Sequence, residues 1–231
     1  MYIYGKNVAK ETLKDNLEVK EVFLNTNFSD NEIINLLKKN DVRIKYCKQF
    51  ELDKMVDGNH QGIILKVSDY EYSDIDELLT NENPFLVILD HLEDPHNFGA
   101  IIRTCEAASV DGIIIPKNRS VEVNNTVMKT STGALNHVKI CQVTNLKNTM
   151  DYLKKKGFWL VGTDMDGTNY TAIDYKGPIA IVTGSEGFGM SRLVKENCDF
   201  IATIPMYGKV NSLNASVATA IIIYEAVKQR R

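Results

Sequence analysis

PFLVILDHLEDPHNFGAIIRTCEAASVDGIIIP, residues 84–116, is the stretch whose reading decides the fold. Phe85–Asp90 and Gly112–Pro116 are almost continuously apolar, as strands covered on both faces must be, and the residues between them carry helical spacing. Working outward, the same kind of apolar run recurs at His137–Val143, Phe158–Thr163, Pro178–Gly184 and Phe200–Pro205, with helical patterns between most of them. The expectation is an α/β domain over residues 84–231 built on a mostly parallel sheet. Ligands of such sheets sit outside the carboxyl ends of the strands, which directs attention to the segments after Asp90, Gly184 and Pro205.

Upstream, Val19–Asn25, Val42–Cys47 and Gly62–Val67 read as strands. Between the first two, Ser29 or Asp30 can cap a helix over DNEIINLLKK, where Ile33, Ile34, Leu36 and Leu37 follow helical spacing. Residues 1–67 therefore form a small α/β domain. The acidic, Pro-terminated stretch 68–83 reads as a linker with one helical turn near Ile75–Leu79, and as a hinge on which the small domain swings.

Composition narrows the class. The 231 residues are 44% hydrophobic and 25% charged, the balance of a globular protein and not of a disordered or fibrous one. No run approaches about 18 apolar residues, so no spanning helix is expected. The lysines and carboxylates of MYIYGKNVAKETLKDN occupy the place of a signal peptide's apolar region, and the chain reads as cytoplasmic. A net charge of −3 means that any polyanionic partner must be held by a local patch. Cys47, Cys105, Cys141 and Cys198 form no C-x-x-C pair, which argues for reduced, mostly buried thiols.

Three loops carry residues suited to chemistry. In the first, Asn97 can cap a helix starting near Phe98, on which Ala100, Arg103, Thr104 and Ala107 share a face; small neighbours leave room beside the Arg. His91, Glu93, Asp94 and His96 match no zinc spacing, so no metal is expected. The second loop, GSEGFGMSR (Gly184–Arg192), has glycines that let backbone approach a ligand, with Glu186 in its midst. Its G-x-x-G-x-G order is neither the dinucleotide fingerprint nor a P-loop. Phe98 and Phe188 are bulky residues within these two loops. The third, residues 204–214, enters a long apolar helix through Asn211, Ser212 and Asn214; that helix should be buried nearly all round, in its own fold or against a second subunit.

Together these segments resemble the three motifs of the SpoU/TrmH branch of the SPOUT RNA methyltransferases. Asn97-x-Gly99-x-x-x-Arg103-Thr104 looks like the first motif, Ile181–Gly187 with Gly189 like the second, and Ile204-Pro205-Met206 through Ser212-Leu213-Asn214-x-Ser216-Val217 like the third. YGKNVAKETL near the start and Asn59–Ile63 (NHQGI) are similar to the small L30e-like domain that binds substrate in the ribosomal-RNA members. Within the family the chain looks most like the enzymes that methylate a guanosine in the peptidyl-transferase loop of large-subunit rRNA.

The resemblance implies a C-terminal α/β domain tied in a trefoil knot, and a homodimer whose active site uses both subunits. It implies S-adenosylmethionine held by Thr163, Asp164, Gly184, Ile204, Met206 and Leu213, with Arg103, Asn97, Glu186, Ser212 and Asn214 as the catalytic set. The physical chemistry of that set favours Arg103 as a charged clamp on the developing alkoxide or a phosphate, because a guanidinium with a pKa above about 12 is a poor base. Asn97 and Glu186 then organise the loops. Contacts to RNA are expected from the N-terminal domain and from Lys117, Arg119 and Lys129. Two other classes fit less of the pattern: an RNA-binding assembly factor without catalysis needs no such set of five, and a nicotinamide-dependent oxidoreductase needs another glycine order.

Overall fold

The structure, a computed structural model, describes residues 1–14 and 18–231. Along the chain run β1 (Tyr2–Tyr4), α1 (Lys6–Lys14), β2 (Val19–Asn25), α2 (Asn31–Lys39), β3 (Ile44–Cys47), α3 (Gln49–Asp53), β4 (Ile63–Val67), β5 (Phe85–Asp90), α4 (Pro95–Ala107) and β6 (Gly112–Pro116). Then follow α5 (Asn125–Ser131), β7 (Ile140–Val143), α6 (Leu146–Lys155), β8 (Trp159–Asn169), β9 (Ile179–Gly184), α7 (Arg192–Glu196), β10 (Phe200–Thr203) and α8 (Ala215–Arg230). Two compact units result: Met1–Glu71 with Val123–Gly133, and Tyr72–Glu122 with Ala134–Arg231.

In the first unit, β2 pairs antiparallel with β4 and parallel with β3, giving the order β1-β4-β2-β3. Strand alternation sorts its core. Val22, Leu24, Ile63 and Leu65 join Ile3, Val8, Leu13, Ile33 and Leu37 on one face, while Phe23 and Ile64 join Cys47 and Leu52 on the other. Asp30 is the cap of α2, accepting from the Ile33 amide at 3.2 Å, and buried Ile33 and Leu37 stand one helical turn apart.

The division differs from the expected one at two places. Residues 123–133, placed by sequence in the second domain, pack with the first: Asn125 Oδ1 accepts the amide of Tyr4 at 3.0 Å, and Met128 lies against the Ile3–Val8 core. Lys129 therefore belongs to the first unit and Lys117 and Arg119 to the second. Residues 72–83 of the expected linker belong to the second unit. The Ser73 amide donates to Ile140 O at 2.8 Å, and a single 3₁₀ turn at Ile75–Leu78 puts Leu78 into the core. Leu78 is the reason residue 112 is glycine, since a Cβ there would stand 2.3 Å from its Cγ.

The second unit is built on six strands, all parallel, in the order β10-β8-β9-β5-β6-β7. Every residue of β5, β6 and β9 is buried, as their uninterrupted apolar runs require. The chain moves from β5 to β6 and β7, then returns to place β8 and β9 on the other side of β5, so β5 and β9 are neighbours at the point where strand order reverses. Their register pairs Asp90 with Gly184, and the loops that follow leave the sheet side by side. Strand β8 extends six residues past the expected end, to Asn169, because β10 pairs with it in two stretches. Between them, residues 163–167 have no ladder partner among the described residues.

After β10 the chain returns through residues 204–214, and α8 packs against α4 and β9. Burial of α8 is one-sided: Ala215, Thr219, Ile222, Ile223 and Ala226 are buried, but Val217 and Tyr224 are about half exposed on the opposite stripe. Cys47, Cys105 and Cys141 are buried free thiols and Cys198 is partly buried. Among the described residues no helix is long and apolar enough to cross a membrane.

Candidate active site

The helix that carries Arg103 starts earlier than its sequence suggests. Asp94, not Asn97, is the cap of α4: its Oδ1 accepts the His96 amide at 2.8 Å, and Pro95 occupies the first helical position, where a missing N–H costs nothing. Asn97 is thereby released from capping and lies buried in the first turn, its Nδ2 donating to Asp94 Oδ2 at 3.0 Å and to Glu186 Oε1 at 2.8 Å. Asn214 is the cap of α8, a role open in sequence to Ser212; its Oδ1 accepts from the Ser216 and Val217 amides at 2.9 and 3.4 Å. Its Nδ2 faces the other way, reaching Glu186 Oε1 at 2.7 Å and Asn97 Oδ1 at 3.0 Å.

Three loops distant in sequence thus meet at one carboxylate. Glu186 takes two amide donors on Oε1, and each comes from the first turn or cap of a helix, whose positive dipole end favours an anion. Its Oε2 has no hydrogen-bond partner among the described residues. Arg103 is not drawn into this cluster. Six residues along α4 from Asn97, it stands about 9 Å further along the axis and roughly 120° around it. It is exposed without a partner among the described residues, on the face where Thr104 Oγ1 bonds back to Ala100 O at 3.0 Å. Ser212 is likewise exposed and has no partner among the described residues.

The residues expected to hold a cofactor gather at the same carboxyl edge. Thr163 and Asp164 fall in the unladdered part of β8, and Ile204, Met206 and Leu213 lie in a segment where no amide from 204 to 213 donates to another backbone group among the described residues. Met206 and Leu213 are 39% and 38% exposed, an uncovered apolar surface next to free backbone polar groups. Gly184 is where this edge is tightest: an added Cβ would lie 2.0 Å from Gly189 C and 2.2 Å from Met190 N. Asp164 is burdened by burial, which pushes its carboxyl up, but its 2.7 Å ion pair with Lys195 and the amides of Asp166 and Met165 outweigh this and hold it below the usual range.

Two supporting carboxylates escaped the sequence reading. Asp94 was legible as the Asp-Pro entry to a helix. Asp90, at the end of a parallel strand, is fully buried; its Oδ2 accepts the Ser191 amide at 2.6 Å and its Oδ1 holds His91 Nδ1. It ties the second loop to the first.

A model of the SpoU rRNA methylase family matches residues 84–224, and one for RNA 2′-O ribose methyltransferase substrate binding matches residues 2–73. The chain belongs to the SpoU rRNA methylase family. A Bacillus subtilis (strain 168) protein assigned to the TrmH family of tRNA/rRNA methyltransferases, YacO, is 45% identical over 99% of this chain and 96% of its own length. The TrmH/SpoU tRNA modifying enzyme of A. aeolicus is 34% identical, with a TM-score of 0.59 over 66% of this chain and 79% of its own. The fold of the whole chain is that of the SpoU methyltransferase AviRb from Streptomyces viridochromogenes, solved in complex with the cofactor AdoMet: TM-score 0.82 at 24% identity, covering 99% of this chain and 90% of that one. As a SpoU-family RNA methyltransferase the chain matches a substrate-binding model over its first part and the methylase model over its second.

Proposed function

We propose that this protein transfers a methyl group from S-adenosylmethionine to the 2′-oxygen of a guanosine ribose in the peptidyl-transferase loop of large-subunit rRNA, working as a homodimer. The observation that carries the reading is the meeting of Asn97, Glu186 and Asn214 on one carboxylate oxygen, beside an apolar, backbone-rich edge. That edge suits the cofactor chemically: Met206 and Leu213 offer a flat apolar wall for an adenine, the backbone at Thr163 and from Ile204 to Leu213 offers its hydrogen bonds, and Gly184 lets the cofactor approach closely. Bound there, S-adenosylmethionine supplies an electrophilic methyl group on a sulfonium. Glu186 orients the target ribose through its free Oε2, while Asn97 and Asn214 keep its other oxygen fixed. Arg103, permanently charged, stabilises the alkoxide that develops as the 2′-hydroxyl loses its proton to water or the adjacent phosphate. Ser212 holds the same hydroxyl.

Arg103 lies away from its own chain's cluster, which supports a site completed by the second subunit. The uncovered stripe of α8, Val217 and Tyr224, supports the same pairing. The passage from β10 through residues 204–214 back to α4 and β9 is taken here as the closure of a trefoil knot. The first unit binds the RNA.

Labelled S-adenosylmethionine, unmodified large-subunit rRNA and an Arg103→Ala control test this. The expected result is one labelled 2′-O-methylguanosine in the peptidyl-transferase loop, absent with the control. Label on tRNA or another rRNA loop overturns the target, and the absence of both cofactor binding and transfer to RNA overturns the enzyme reading in favour of an assembly factor. An Arg103→Lys enzyme with near-full rate and an unchanged pH profile would overturn the role of the guanidinium fork.

A further inference from the structure

Beside the cluster lies a cleft of about 580 Å³ that shares Glu186 with the proposed chemistry and otherwise extends beyond it. Three loops of the second unit build it: Asp90–Asp94, the turn at Arg119, and Ser185–Ser191. They are fastened to each other rather than merely adjacent. Leu92 O accepts the Val121 amide at 2.7 Å and Ser120 Oγ at 3.2 Å, and buried Asp90 takes the Ser191 amide at 2.6 Å. On this frame stand three groups with unused recognition capacity. Phe188 is 94% exposed at the tip of a hairpin, between Gly187 (φ +82°) and Gly189 (φ +65°), whose ends are closed by mutual Ser185–Gly189 backbone bonds of 3.1 and 3.0 Å. Arg119 is exposed and has no partner among the described residues. His91 is held by Asp90 through Nδ1, which leaves Nε2 free.

The backbone adds a second, independent sign. His91 (φ +57°) and Arg119 (φ +52°) both sit in the left-handed region that non-glycine residues avoid, and both line this one cleft. Such conformations persist where the surroundings enforce them, and they collect at sites that bind. The charges decide the kind of ligand. Asp90, Asp94 and Glu186 also line the cleft, each already engaged by donors, and Glu93 is exposed and has no partner among the described residues. Four carboxylates against one Arg and one His make a poor site for a cluster of phosphates. A neutral aromatic ring with N–H donors and acceptors on its rim, attached to a single phosphate, suits a cleft with a bare phenyl ring, a free carboxylate, an imidazole nitrogen and one guanidinium.

We propose that this cleft is a nucleobase subsite, in which one unstacked base of the RNA lies on the ring of Phe188, its edge reaching Glu93 and His91 Nε2 and its phosphate held by Arg119. The inference rests on the RNA methyltransferase reading and adds a determinant of which nucleotide is presented. Bases splayed out of single-stranded RNA are commonly held this way, because every base has a face to stack and Arg pairs with one phosphate at a time. Rigid loops make the subsite selective for a base already extruded, since the frame leaves little freedom to follow a stacked helix.

The test uses the full chain and short RNA hairpins spanning the methylated loop, each with 2-aminopurine at one position near the target. Wild-type protein is expected to change the 2-aminopurine emission at one position. Phe188→Ala should abolish that change and weaken RNA binding roughly tenfold, the scale of one base–aromatic stack, with S-adenosylmethionine affinity unchanged. Phe188→Trp should restore both; Arg119→Gln should weaken binding and flatten its salt dependence. Phe188→Ala with wild-type RNA affinity and wild-type emission overturns the subsite while leaving the methyltransferase reading intact. A Phe188→Ala variant that sediments as a monomer where wild type is a dimer also overturns it, because the ring would then be covered by a second copy. If wild type binds no RNA at all, the underlying reading fails first and is seen to do so.

Discussion

Gly184→Ala is the substitution whose consequence the structure specifies most tightly. The new Cβ would sit 2.0 Å from Gly189 C, 2.2 Å from Met190 N and 2.3 Å from Gly189 O, all backbone atoms. Reaching ordinary contact at 3.4 Å would push the 189–190 backbone out by more than an ångström. That segment is pinned by the paired Ser185–Gly189 bonds and by Asp90 on the Ser191 amide. Overpacking of this kind costs about 1–3 kcal/mol. Losing the hairpin's two backbone bonds adds about 1 kcal/mol each. A total of about 4 kcal/mol corresponds, in a chain of this size, to a melting temperature lower by roughly 10 °C. Gly187→Ala is the control: its Cβ meets nothing within 4 Å, and only its φ of +82° resists a side chain, at a cost of about 1 kcal/mol and a few degrees. Thermal unfolding followed by Trp159, the sole tryptophan and a β8 residue paired with Ile179 of β9, reads the second unit directly. Calorimetric titration with S-adenosylmethionine should find binding lost in Gly184→Ala and kept in Gly187→Ala. A Gly184→Ala protein melting with wild type, or a Gly187→Ala protein falling as far, would refute the steric reasoning.

Further predictions follow from the same site. Glu186→Gln can keep both amides on its remaining oxygen but removes the charge and puts an N–H donor where Oε2 was, and methyl transfer should fall about a hundredfold with little change in RNA affinity, measured as separate kcat and binding constants. Asp164 is held below its ordinary 3.8, so its ion pair with Lys195 contributes stability at neutral pH that is lost as pH falls through the depressed value. Asp164→Asn should be less stable than wild type at pH 7 and converge with it in acid; parallel curves in urea titrations at several pH values would count against this. Burial pushes the Cys198 thiol up to about 12 and Cys141 to about 11, and Cys47 and Cys105 are buried, so at pH 7 a thiol reagent should label all four slowly in the folded protein and quickly in denaturant.

Sequence alone determined the covered strands of the second unit, because burial on both faces of a parallel sheet leaves little other residue choice than the unbroken apolar runs at 85–90, 112–116 and 179–184. It also located the three loops, since a reactive segment at a strand's carboxyl end needs glycines, caps and polar residues that the core forbids. Helix starts were less legible. Asp94, Asn97, Ser212 and Asn214 are all good cap residues, and the choice among them depends on where neighbouring backbone lies. Only the tertiary structure decided that α5 packs with the first unit, that residues 72–83 are part of the second, and that Glu186 receives amides from Asn97 and Asn214, 89 and 28 residues away. These are long-range pairings between surface segments, where no periodicity records the partner. The cleft around Phe188 belongs to the same category: a ring between two glycines is visible in the sequence, but only the fastening of three loops places His91 and Arg119 opposite it.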